Sequence, residues 1–163
     1  MKKITLTILL IICIFTISAC GKEGYENKNE MSAGTSKEEV QEKLKQTPSA
    51  ETSESNTETT TYEDMEYCGH KGTMTYYYSN DALTLSQWDS TADKEEDALK
   101  LYDDLKNKLT DEYGDGSQGG DEISYCWYTD EKQVSLSCTD ADGEYKVSVV
   151  EYDCSGSTDE ESE

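Results

Sequence analysis

From Tyr62 to Cys154, polar and apolar residues alternate in short blocks, and that period predicts strands. Residues 73–79 are strand-like by β propensity. Asn80-Asp81 is a two-residue turn into a second strand over 82–88. With that turn, Tyr76 and Tyr78 share a core face with Leu83 and Leu85, and Tyr77 points away. The period then lengthens. Ala98, Leu101, Tyr102, Leu105 and Leu109 form one helical stripe, with Ser90 or Thr91 as its cap and Gly114 as its stop. Asp93, Glu95 and Glu96 suit the positive end of that helix, and Glu96–Lys100 and Asp104–Lys108 are spaced as i,i+4 pairs.

Three more strands follow, over 123–129, 133–139 and 145–152. Asp142-Gly143 is a hairpin signal that pairs Val147 with Cys138 and Val149 with Leu136. Val134, Leu136, Cys138, Tyr145, Val147 and Val149 alternate with polar residues, which implies one buried face and one wet face. The expected fold class is therefore α+β: an antiparallel sheet in the order ββαβββ, with one helix packed on one face. Its domain is expected over 62–154, preceded by a disordered linker and followed by a disordered acidic tail over 155–163.

The linker is expected because 21–61 shows almost no apolar periodicity. It is rich in Glu, Lys, Ser, Thr and Asn and cannot offset chain entropy by burial. Residues 36–44 have the makings of a transient helix, but Val40 and Leu44 alone make no face. As a flexible spacer the segment would span roughly 35 Å.

The first residues read differently. Lys2 and Lys3 precede an apolar run from Ile4 to Ile17, and small residues Ser18 and Ala19 follow. That is the layout of a signal peptide, 1–19, and the run is short for a transmembrane helix. Ile17-Ser18-Ala19-Cys20-Gly21 resembles the lipobox of bacterial lipoproteins, a likeness covering the first 21 residues. It implies that Cys20 is lipidated, so that a Cys20→Ser variant loses its palmitate label. It also implies a chain held at the cell membrane, facing outside the cytoplasm. The whole layout is similar to that of small uncharacterised lipoproteins of Gram-positive bacteria.

Charge narrows the partners. The chain has 14 basic and 36 acidic residues for a net charge of −22, and every basic residue is Lys. Nucleic acid is not expected, because phosphate recognition needs clustered cations. Cys68, Cys126, Cys138 and Cys154 make an even set for an exported domain. Joining Cys68 to Cys154 would clip the domain ends and leave Cys126 for Cys138. That second bond forms only if the hairpin loop is 131–133; a two-residue turn at Asp130-Glu131 puts the two cysteines on opposite faces.

Candidate chemistry is sparse. Cys68-Gly69-His70 falls short of a zinc ligand set, and no metal or cofactor is expected. Asp111, Asp115, Gly116 and Glu122 match calcium-loop positions, but Tyr113 breaks the pattern. With one His there is no nucleophile–base pair, so no enzyme is expected. The remaining signal is aromatic: Tyr77, Trp88, Tyr128 and Tyr152 are expected away from the helix, as an interaction face. The expected function is a non-catalytic binding module with an unknown extracytoplasmic protein or ligand as partner. A calcium-binding envelope protein and an inhibitor of an envelope enzyme are the alternatives.

Overall fold

A computed structural model describes residues 29–120 and 123–154. The expected signal peptide, Cys20, Glu122 and the tail 155–163 lie outside the described residues.

The elements are α1 (Lys37–Leu44), β1 (Ala50–Glu54), β2 (Thr57–Tyr67), β3 (His70–Ser79), β4 (Ala82–Ala92), α2 (Glu95–Tyr113), β5 (Ser117–Gln118), β6 (Ile123–Tyr128), β7 (Lys132–Ala141) and β8 (Glu144–Asp153). The eight strands form one antiparallel sheet in the spatial order β1-β2-β3-β4-β8-β7-β6-β5. The α+β class and the antiparallel sheet agree with the sequence; the ββαβββ order and the lone helix do not. Each half of the chain is a helix followed by a four-strand meander, and the last strands of the two halves, β4 and β8, pair at the centre. The turns repeat the same spacing. Cys68-Gly69 and Asp130-Glu131 lie 62 positions apart, as do Asn80-Asp81 and Asp142-Gly143.

Residues 37–61 depart most from expectation. Instead of a spacer they supply α1, β1 and the first half of β2. Ser36 caps α1 in a full capping box with Glu39, which satisfies backbone donors that water would otherwise have to meet. Val40 from α1 is fully buried, and Leu44 packs against the same core. In β2 the threonines supply β propensity without hydrophobicity. Thr60 is buried and shares a 3.0 Å hydrogen bond with the Tyr78 hydroxyl. Strand β1 is exposed throughout and is held by pairing alone.

The second half follows expectation closely. Cys138 pairs with Val147 and Leu136 with Val149, around a turn in which Asp142 and Gly143 both have positive φ. Ala98, Tyr102, Leu105 and Leu109 of α2 are buried, and Leu101 is partly buried. The expected i,i+4 pairs form, at 2.9 Å for Glu96–Lys100 and 2.7 Å for Asp104–Lys108. Helix α2 begins later than expected: its N-cap is Lys94, and Ser90 and Thr91 belong to β4.

One β-bulge reorders the first half. The Asn80-Asp81 turn forms and Tyr78 faces Leu83, but the register then slips and Leu85 faces Tyr77. An extra residue flips every later side chain to the other face. Leu85 therefore leaves the core and Trp88 enters it. Trp88 is fully buried; it donates Nε1–H to the Met65 carbonyl at 3.2 Å and stacks on Tyr67. Its ring lies so close over Gly72 that a Cβ there would meet ring carbon Cε2 at 2.6 Å, so the position requires Gly.

Candidate functional site

All the buried side chains of the sheet lie on the face covered by α1 and α2 and form one cluster from Val40 to Val149. Among the described residues, no element lies over the other face. Strand pairing arranges that bare face in rows that cross the sheet. The first runs Tyr77, Leu85, Tyr152, Gln133, Tyr128, one residue from each of five adjacent strands. The second runs Thr75, Gln87, Val150, Ser135, Cys126. The third is Thr73, Asp89, Ser148, Ser137, Ser124, and the fourth is Thr91, Lys146, Thr139.

Three of the four aromatics expected on this face stand in its first row. Tyr128 is 66% exposed and Tyr152 40%. The Tyr77 hydroxyl reaches Gln87 Oε1 in the next row at 3.4 Å, so this ring lies along the sheet. Trp88 is the exception, turned inward by the bulge. Leu85 takes a place in the row that the sequence reading had given to the core.

The centre of the bare face is nearly free of charge, and charge on that face lies at its margins, with Glu66 opposite Lys71 and Glu144 beside the β7–β8 turn. Its four rows contain one acid and one base, and these neutralise each other: Lys146 Nζ lies 3.0 Å from Asp89 Oδ2. Asp89 also accepts from Gln87 Nε2 at 2.9 Å and from Ser148 Oγ at 2.6 Å. The covered side is the opposite. Helix α2 alone carries seven acids against three lysines.

The cysteines do not combine as expected. Asp130-Glu131 is a two-residue turn, closed by Thr129 N–H donating to Lys132 O at 2.8 Å. Cys126 then faces Ser135 while Cys138 faces Ile123, so the two thiols point to opposite faces. Cys68 occupies the β2–β3 turn and is buried, with its carbonyl accepting from Lys108 Nζ at 2.8 Å. Cys154 is exposed beyond β8, where its N–H donates to Glu131 at the opposite end of the sheet. No disulfide joins these four in the described structure, because a bridge needs Cα atoms within about 7 Å and converging Cβ vectors. Burial, with Glu112 adding to it, pushes the Cys68 thiol up to about 12.

The other candidates separate. His70 Nε2 lies 2.6 Å from Asp104 Oδ2, and the Lys108 and His70 hydrogen bonds hold the Asp104 carboxyl below its usual range. Asp111 and Tyr113 lie in the last turn of α2 and Asp115 lies beyond its end, so no calcium loop starts at Asp111. Among the described residues no His, Cys, Asp and Glu gather as a metal-ligand set.

The fold and this face together define a class: a tandem helix-plus-meander α+β domain with one covered and one bare sheet face. No protein-family model, curated protein or solved structure matches the chain.

Proposed function

We propose that the chain is an exported lipoprotein held at the membrane through Cys20, and that its bare sheet face is a non-catalytic binding surface. One observation carries the binding assignment. A chain of net charge −22 keeps four rows of this face free of net charge and fills them with hydroxyls, amides and tyrosines. Solubility alone favours charge everywhere on the surface. Interface cores, by contrast, are depleted of charge and enriched in Tyr.

Two lysines placed in the middle of the face, Ser135→Lys with Ser137→Lys, test this reading. In detergent that frees it from lipid, the full chain is expected to sediment with insoluble envelope material, and the double variant to lose at least about tenfold in affinity, as for an unpaired charge driven into an interface. Lys100→Glu on the exposed side of α2 is the control and should sediment like the parent. Equal sedimentation of parent and double variant refutes the face. The lipid assignment has its own readout: Cys20→Ser should lose palmitate labelling and leave the membrane fraction.

A further inference from the structure

The ligand class follows from the geometry of the first row, and this step rests on the binding-face reading above. Tyr77, Tyr152 and Tyr128 sit on β3, β8 and β6, with one strand between each successive pair. Two strand spacings are about 10 Å, so the aromatics repeat at that interval across the sheet. An extended β-1,4-linked sugar chain repeats every second sugar over nearly the same length. We infer that the row is a platform for a β-1,4-linked N-acetylhexosamine polysaccharide, the glycan chemistry of a cell wall.

Three features favour this occupant over a protein. The C–H-bearing face of a pyranose packs on the electron-rich face of a tyrosine ring, which needs flat, accessible aromatics and no charge. Between the tyrosines the row presents Leu85 and Gln133, an apolar stop and an amide that can exchange hydrogen bonds with an N-acetyl group. The row below offers Thr75, Gln87 and Ser135 to sugar hydroxyls. Charge decides the rest. A cationic protein would be drawn to the acidic helices, and an anionic one would be repelled by the molecule as a whole. An uncharged polyol matches the uncharged centre of the face. Because the period spans two sugars, all three tyrosines meet the same kind of sugar in an alternating polymer.

The test uses the full chain in detergent micelles and oligomers of β-1,4-linked N-acetylglucosamine, followed by calorimetry. Affinity is expected to rise from dimer to pentamer and then level off, since five sugars span the row. Tyr152→Ala should weaken pentamer binding about tenfold and Tyr152→Trp should retain it, as expected for one lost ring contact of roughly 1.4 kcal/mol. Tyr77→Ala and Tyr128→Ala should act alike, and the α-1,4-linked glucose hexamer should not bind. Unchanged melting temperatures exclude misfolding as the cause. Failure of the pentamer to bind at millimolar concentration, or binding indifferent to all three tyrosines, overturns the glycan assignment. The two-lysine variant separates the readings: if it loses envelope sedimentation while the pentamer does not bind, the face stands and the ligand class falls.

Discussion

At the scale of single residues, Cys68 shows how position changes chemistry. As a sequence feature it reads as a half-cystine of a domain expected to be exported. In the fold it is a buried thiol at a hairpin turn, pushed up to about 12 by burial and by Glu112. Thiolate is the reacting form, so Cys68 is inert in the native state. Alkylation at pH 8 with mass-spectrometric readout should modify Cys126, on the bare face, well before Cys68, and denaturant should equalise the two. Native-state labelling of both at one rate would contradict this burial. The same scale explains the exchange of Leu85 and Trp88. Ala82-Leu83-Thr84-Leu85 alternates without a break, so nothing in those residues marks the bulge. The alternation in β7 and β8 was legible because no bulge interrupts it.

At the scale of elements, α2 and the last hairpin were readable because each carries its own periodic apolar set. Helix α1 and strand β1 were not, because they contribute few apolar side chains, and β2 was not, because a register shift between Tyr62 and Met65 breaks the alternation of its buried Tyr62, Met65 and Tyr67. One local signal was present: Ser36 and Glu39 have the spacing of a capping box, and they form one. These elements are structural. Val40→Ala should cost about 2 kcal/mol in urea unfolding, the value of two buried methyl groups, although it lies in a segment that reads as spacer. A chain starting at Tyr62 should show no cooperative transition, because it lacks α1, β1 and the first half of β2.

At the scale of the molecule, the repeat of helix and meander escaped the sequence because the halves share turn spacing and topology and not residues. The halves are not independent. They share the β4–β8 pairing and a single core, so they should unfold together. The chain has two tryptophans, and each is buried in a different half: Trp88 in the first, Trp127 in the second. Urea melts of Trp88→Phe and Trp127→Phe, each followed by the remaining indole, report the two halves separately. Each variant's fluorescence midpoint should coincide with its own circular-dichroism midpoint. A fluorescence transition that precedes the other signal in either variant would divide the molecule into two folding units.

The start of the folded body has a further consequence. Asn29 is already tied down, with its side chain donating to the Glu66 carbonyl at 2.6 Å and its own carbonyl accepting from Tyr76. Under the proposed lipidation, eight residues separate Cys20 from that mooring, a leash of about 30 Å at full stretch. The domain is then a short-range device, its mooring restricted to a shell about as thick as one bilayer above the lipid. Its reach is then set by this leash and by the length of the domain itself, so the partner it meets is the part of the envelope nearest the membrane.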